Sequence, residues 1–265
     1  MEDRKVTSKS RLYQVLYYVL PLTSLACFFI IWFVVAKSTN YIIPSPFQVL
    51  TRFQELLHRP IARMSVFRHA GVSLTRVLAA IGYSILLGIP FGLMLGWSDT
   101  FSGIFKPIFE MLRPIPPIAW IPLITMWFGI GETPKIMIIF LGTITPIVVN
   151  TYTGVAMVPR LNIDAGFIFG ANNRRMLFDI ILPSAFPAIF AGIRTAISSG
   201  WVVMLAAEMV SAKSGLGFLV IRGSDSNDLA LTGVAMVFIG TIGALLSMIF
   251  SYLERRLCPW IEKSN

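Results

Sequence analysis

The chain has 265 residues, of which 55% are hydrophobic and only 13% are charged, and its mean hydropathy is +0.75. This composition excludes an ordinary soluble globule and predicts an all-α polytopic membrane protein. The formal net charge of +9 is better explained by basic loops that meet lipid headgroups than by nucleic acid, because no basic run is interleaved with aromatic residues. Two cysteines, Cys27 and Cys258, are too few for a disulfide framework.

The first predicted span, at about 15–36, follows a basic N-terminal tail, which favours a cytoplasmic N-terminus. A cleaved signal peptide is the alternative, but about 22 apolar residues favour an uncleaved span. After it, Ser45 is suited to cap a helix that begins at Pro46. Apolar residues recur at helical spacing over about 46–58, so we expect a short amphipathic helix at the outer interface.

The second predicted span, at about 70–97, carries glycines on one face. Gly88, Gly92 and Gly96 are four residues apart, so they lie nearly above one another on a helix. Small residues at this spacing allow a second helix to approach closely. We therefore predict that this face packs against another span.

The third predicted span, at about 104–128, is interrupted by Arg113-Pro114-Ile115-Pro116-Pro117. Three prolines remove three backbone donors, so the helix must kink or break there. A break at membrane depth is tolerated where it is buried in protein or lines a water-filled cavity. The segment is thus predicted to line a substrate path, with a simple packing kink as the alternative.

Three further spans are predicted, at about 134–158, 185–212 and 231–253. The segment between the last two is expected to form an outer loop that is able to dip back into the membrane. Six spans place both termini on the same side, which the basic N-terminal tail assigns to the cytosol.

The loop between spans four and five, 159–184, has the most distinctive pattern. It reads Asp164-Ala165-Gly166-Phe167-Ile168-Phe169-Gly170 and, nine residues later, Ile180-Ile181-Leu182-Pro183. We predict a cytosolic hairpin: a helix at about 161–169 with Asp164 in its first turn, a turn at 170–173, and a second helix that Pro183 ends. Exposed Phe167 and Phe169 would dock into a cleft of a partner, although a loop that only caps the bundle is the alternative.

Sequence signals for catalysis are missing. The chain has neither a G-x4-G-K-[ST] phosphate loop nor a G-x-S-x-G nucleophile turn, so we expect no enzymatic activity of its own. His58 and His69 have no neighbouring cysteine or acidic cluster, so we expect no metal site.

The 159–184 loop resembles the E-A-A-x3-G-x9-I-x-L-P loop of permease subunits of ATP-binding-cassette (ABC) importers, with Asp164 in place of the Glu and Gly166 in place of the second Ala. The resemblance extends over about 70–258 and is strongest with the nitrate/sulfonate/taurine branch, whose taurine members are most similar in the first two of four stretches. These stretches are Leu112–Leu123, Trp127–Thr133, Ala206–Met209 and Gly215–Phe218.

The resemblance implies the type I importer permease fold, with six transmembrane helices in the inner membrane. It also implies a second copy of the chain, two cytosolic ATPase subunits that hold ATP and Mg, and an extracytoplasmic substrate-binding protein. No cofactor is then expected in this chain. The expected division is 1–69 (tail, first span and outer helix), 70–258 (core permease domain) and 259–265 (tail). The residues that match the coupling loop are Asp164, Ala165, Gly166, Phe167, Phe169, Gly170, Ile180, Leu182 and Pro183.

Ionisable residues inside spans are candidates for function because burying a charge at bilayer depth is costly. We identified Arg113, Arg194 and Glu208, although both arginines have the alternative of reaching the inner headgroups. Glu208 is a candidate gate or a binding group for an ammonium. The predicted path or gate comprises Arg113, Pro116, Pro117, Trp120, Arg194, Ser198, Ser199, Trp201 and Glu208.

A sulfonate stays charged at physiological pH, so its path requires hydrogen-bond donors. Import of taurine or an alkanesulfonate is what the resemblance to the nitrate/sulfonate/taurine branch implies. Nitrate, bicarbonate, an aromatic carboxylate or a vitamin precursor are alternatives in the same class. The alternatives from other classes are an ion-gradient-driven secondary transporter, for which no clear internal repeat is found, and a membrane scaffold without transport.

Overall fold

The computed structural model describes residues 3–39 and 42–257, so Cys258 and the predicted tail 259–265 lie outside the described residues. The described residues are mainly helical. The helices are α1 (Asp3–Ser38), α2 (Pro46–His58), α3 (Val66–Trp97), α4 (Asp99–Leu112), α5 (Ile121–Phe128), α6 (Glu132–Ala156), α7 (Arg160–Ile168), α8 (Asn173–Arg175), α9 (Leu182–Ser211), α10 (Leu216–Asp225) and α11 (Leu229–Leu257). A 3₁₀ turn precedes α5 at Pro117–Trp120, and a π-helical segment links α8 to α9 at Met176–Ile181.

Five helical segments of the described chain are long and apolar enough to cross a membrane: Val19–Ser38, Val66–Trp97, Glu132–Ala156, Asn173–Val210 and Leu229–Glu254. They correspond to predicted spans one, two, four, five and six. The third predicted span is not one continuous helix, because α4 ends at Leu112 and only the 12-residue apolar segment Pro117–Phe128 follows. The predicted break is confirmed, and three prolines that cannot donate to a helical ladder explain it.

The centre of the bundle consists of α3, α6 and α9, and glycines allow these helices to approach closely. A Cβ atom on Gly92 would lie 2.7 Å from Thr151 Cβ, and one on Gly96 would lie 2.6 Å from Val155 Cβ. A Cβ on Gly88 would lie 3.1 Å from Ile147 Cγ2. The predicted packing face is confirmed, and its partner is α6.

The predicted amphipathic helix α2 is confirmed, including its start. Ser45 and Gln48 form a reciprocal capping box, and Pro46 occupies the first turn. Arg52 of α2 lies 2.7 Å from Asp228, just before α11, and the Val49 side chain meets Gly233 of α11. These contacts attach α2 to α11.

Candidate functional site

The segment between α6 and α9 folds back as a hairpin, as predicted. Gly170 ends α7 with a φ of +76°, a conformation that glycine adopts without the steric cost of a Cβ atom. The N–H of Ala171 donates to the carbonyl of Gly166 at 2.9 Å, and Asn172 caps the short helix α8 by accepting from the N–H of Arg175. The predicted turn at 170–173 is therefore confirmed.

Gly166 is the buried contact between the two arms of the hairpin. A Cβ atom there would collide with the end of the Ile180 side chain and would lie 2.9 Å from Met176 Cε. On helix propensity alone, Gly166 is expected only to destabilise α7 relative to alanine. The structure adds a packing reason for a residue without a side chain.

The outer face of the hairpin is apolar and exposed. The exposed fraction is 54% for Phe167, 82% for Ile168 and 88% for Phe169. The predicted exposure of both phenylalanines is confirmed, and Ile168 and Leu161 extend the surface. We refer to these four residues, Leu161, Phe167, Ile168 and Phe169, as the hairpin tip. Clustered exposed apolar side chains of this kind indicate a contact surface.

Two details of the predicted hairpin are wrong. Asp164 is the fifth residue of α7, and the first turn holds no acidic residue, so the proposed interaction with the helix dipole at the start is absent. Pro183 does not end a helix, because the π-helical segment Met176–Ile181 continues directly into α9. A proline ring clashes with the carbonyl four residues earlier in an α-helix, and for Pro183 that residue, Asp179, lies in the wider π turn.

Two of the predicted path residues, Arg113 and Arg194, have ion-pair partners within the protein. The Arg113 guanidinium lies 3.3 Å from Glu110, which also accepts a hydrogen bond of 3.2 Å from the Tyr152 hydroxyl. The Arg194 guanidinium lies 3.0 Å from Glu254 of α11. The two arginines are thus placed in separate ion pairs, apart from Glu208.

Two of the predicted path residues on α9, Ser199 and Trp201, bond to neighbouring helices. Ser199 Oγ donates to the carbonyl of Gly142 at 3.0 Å, and Trp201 Nε1 donates to the carbonyl of Ile239 at 3.1 Å. Ser198 Oγ donates within α9, to the carbonyl of Arg194 at 3.5 Å. Pro116, Pro117 and Trp120 lie at the 3₁₀ turn before α5. The role of these residues in a path stays a prediction.

An ionic network at the opposite end of α6 and α9 from the hairpin centres on Arg76, which sequence reasoning missed. Its side chain is 2% exposed, and all five of its N–H groups have acceptors. Nε and Nη2 donate to the two oxygens of Glu132 at 2.6 and 2.7 Å. Nη1 donates to Glu208 at 2.6 Å and to the Ser214 carbonyl at 2.8 Å, and Nη2 also reaches Ser214 Oγ at 3.1 Å.

Glu208 is completely buried and accepts hydrogen bonds from three other residues of the chain. Its carboxylate accepts from Arg76, from Ser73 Oγ at 2.8 and 2.9 Å, and from the Gly217 N–H at 2.9 Å. The same serine oxygen accepts from the N–H of Leu216 at 2.8 Å. Glu208 thus caps the start of α10, where an acidic group is favoured. This geometry favours a structural role over the predicted ammonium site.

Two more residues complete the network. Lys135 Nζ donates to Glu132 at 2.9 Å, so this carboxylate joins two cations. His69 accepts from the Gly215 N–H at Nδ1 (3.0 Å), which leaves Nε2 to donate to the Ile61 carbonyl at 3.2 Å. The signal for finding the network was an arginine inside an apolar span, since such a charge requires a carboxylate partner.

This fold and these two sites define a multi-pass membrane protein. Its helical bundle is held by buried ion pairs at one end and carries an exposed apolar hairpin at the other. The chain belongs to the family described as binding-protein-dependent transport system inner membrane component, which matches residues 88–263. It is therefore a transport permease of the inner membrane.

Several curated relatives cover nearly the whole chain. The taurine transport system permease protein TauC of Escherichia coli is 36% identical over 247 residues, which are 91% of this chain and 89% of that protein. The bicarbonate transport system permease protein CmpB of Synechococcus elongatus is 31% identical and covers 93% of this chain and 90% of its own length. The nitrate import permease protein NrtB of Synechocystis sp. is 30% identical, with coverages of 92% and 90%.

A solved structure has the same fold. A chain of the MetNI methionine ABC transporter, in inward facing conformations, superposes with a TM-score of 0.65 at 17% identity. The match covers 72% of this chain and 95% of that chain. At this identity the similarity establishes the fold alone.

Proposed function

We propose that this chain is the membrane-spanning subunit of an ATP-driven importer of a small sulfonate, either taurine or an alkanesulfonate. The observation that carries the proposal is the 36% identity to TauC across 91% of the chain. The nitrate and bicarbonate permeases cover as much of the chain at 30% and 31% identity, so these two solutes are the alternatives within the same class.

The proposed topology has six spans, with residues 99–128 forming the third as a broken helix and both termini in the cytosol. In this arrangement α2 and α10 lie outside, and the hairpin tip lies in the cytosol. The ionic network around Arg76 is then at the outer end of the bundle. Basic residues of the hairpin, Arg160, Arg174 and Arg175, support this orientation.

The proposed assembly contains two copies of the chain, two cytosolic ATPase subunits and an extracytoplasmic substrate-binding protein. The hairpin tip docks into a groove of an ATPase subunit, where its apolar side chains lose contact with water. ATP and Mg are bound by those subunits. The segment Asn173–Val210 is continuously helical, from α8 through the π-helical segment into α9. A movement of the hairpin is therefore transmitted along α9 towards Glu208 at its outer end.

The proposed path follows the broken segment 113–128 and α9. A break exposes backbone groups that an apolar helix would hide, and a charged solute requires such polar groups at membrane depth. Trp120, Ser198 and Arg194 lie on these two elements. We propose that they offer donors to the sulfonate as the helices move apart.

The test is uptake of labelled taurine into liposomes that contain this chain, its ATPase and its binding protein. We expect uptake that requires ATP and all three components and that alkanesulfonates inhibit. Absence of taurine uptake, together with stimulation of ATP hydrolysis by nitrate or bicarbonate, would keep the class and replace the solute. Uptake by the chain alone under an ion gradient would overturn the class.

A variant tests the docking step in the same assay. Asp164→Arg reverses an exposed charge on the helix that carries the hairpin tip, and we expect loss of ATP-driven uptake. Asp225→Arg, at the end of α10, is the matched control because it makes the same charge change at an exposed residue far from the hairpin. Normal uptake with Asp164→Arg would contradict docking by this helix.

A further inference from the structure

Two buried cations at one end of the bundle share a carboxylate that is largely exposed. The side chains of Arg76 and Lys135 are 2% and 5% exposed, whereas that of Glu132 is 58% exposed. Buried charges are costly unless they are paired. Glu132 neutralises the two cations from the exposed side. It is therefore the charged group of this cluster that is most able to move away.

The Glu132 carboxylate is bound in the same way as a bound oxyanion would be. Its oxygens accept from Arg76 Nε at 2.6 Å, from Arg76 Nη2 at 2.7 Å and from Lys135 Nζ at 2.9 Å. A guanidinium binds carboxylates and other oxyanions through the same two-pronged geometry. Sulfonate, nitrate and bicarbonate each present several oxygens on one central atom, so each has the groups to replace this carboxylate.

The Arg76 guanidinium is also held in place by acceptors other than Glu132. Three of its five N–H groups donate to Glu208, to the Ser214 carbonyl and to Ser214 Oγ. Glu208 is itself held by Ser73 and the Gly217 N–H. Departure of Glu132 would leave the guanidinium in place with two donors aimed outwards.

The backbone before Glu132 is suited to such a departure. Glu132 is the first residue of α6, and Gly129 with a φ of +71° and Gly131 precede it. Glycine permits backbone changes that other residues resist. Without Glu132, the charges of Arg76 and Lys135 exceed that of Glu208 by one, and a monovalent anion restores neutrality.

We propose that Arg76 and Lys135 form a binding site for the oxyanion group of the transported solute, and that Glu132 fills this site until the anion displaces it. This inference rests on the proposed function, which places the site at the outer mouth and gives the solute an oxyanion. Competition from Glu132 keeps binding weak, and a transported solute must be able to leave each site it enters.

The test measures binding of methanesulfonate to the purified full-length chain in detergent by titration calorimetry. We expect Glu132→Ala to bind it at least about tenfold more tightly than the wild type, because an internal competitor of like charge is removed. Adding Lys135→Gln to Glu132→Ala should reverse most of that gain. Glu55→Gln is the control, since Glu55 is also a largely exposed carboxylate paired with an arginine, Arg52, and lies outside the proposed path. It should bind methanesulfonate as the wild type does.

Glu132→Gln provides a second test because it removes the charge while it retains the size of the side chain. If either folded variant binds methanesulfonate no more tightly than the wild type, the pair is structural and the proposal is wrong. Normal ATP-driven taurine uptake together with that result would leave the proposed function standing. Tighter methanesulfonate binding by the Glu132 variants without taurine uptake would support the anion site and would show that the transported solute is not taurine.

Discussion

Arg76 and Glu208 lie 132 residues apart in the chain, yet their side chains form a buried ion pair with 2.6 Å between Nη1 and Oε1. Each charge makes the burial of the other possible, because an unpaired charge inside a membrane protein is costly. The pair joins α3 to α9, and Ser214 extends it to the start of α10. One end of the bundle is thus held by polar contacts within an otherwise apolar protein.

The first prediction concerns this ion pair. Glu208→Gln removes the buried carboxylate that pairs with the buried Arg76 charge. We expect the free energy of unfolding to fall by about 3–5 kcal/mol. The measurement is thermal unfolding of the purified chain in detergent. Glu254→Gln removes a carboxylate from the more exposed Arg194 pair, where the expected loss is about 1 kcal/mol or less. Equal melting temperatures for the two variants would contradict the structural role of Glu208.

The second prediction concerns the packing of α3 on α6. Gly92→Leu would push a side chain against Thr151 and the Val148 carbonyl, which lies 3.0 Å from the position of the added Cβ. Backbone atoms cannot rotate away, so we expect strain beyond the roughly 1–3 kcal/mol typical of an overpacked core, and a loss of folded protein. Gly82→Leu in the same helix is the control, because no atom outside the adjacent helix backbone lies within 4 Å of its Cβ position. Folded yield is measured by size-exclusion chromatography, and similar yields would refute this packing.

Local patterns in the sequence predicted those parts of the fold that depend on residues close together in the chain. The spacing of Gly88, Gly92 and Gly96 identified the packing face, and Ser45 with Pro46 identified the start of α2. The Arg76 network joins residues far apart in the chain, so no local pattern revealed it. Pro183 was misread because a π turn before it removes the clash that normally ends a helix.

The third prediction concerns the buried contact of the hairpin. Gly166→Ala places a methyl group against the ends of the Ile180 and Met176 side chains, which are able to shift, and alanine favours the helix by about 1 kcal/mol. We expect these effects to offset each other and ATPase stimulation in the reconstituted complex to persist. Gly166→Leu exceeds the space and should separate α7 from the Met176–Ile181 segment, with loss of stimulation. Gly103→Leu, in open space on α4, is the control and should retain stimulation.

The last prediction concerns the hairpin tip. Phe169 is 88% exposed, so Phe169→Asp should leave the stability of the isolated chain nearly unchanged. If the tip docks into the ATPase, the charged side chain meets an apolar groove, and we expect a loss of at least about 2 kcal/mol, or a roughly thirtyfold weaker affinity. Ile130→Asp introduces the same charge at an 81% exposed apolar residue before α6, away from the hairpin. Affinity for the purified ATPase, measured by biolayer interferometry, should fall only for the Phe169 variant. An equal fall in both would show that added charge, rather than loss of a docking residue, weakens the complex.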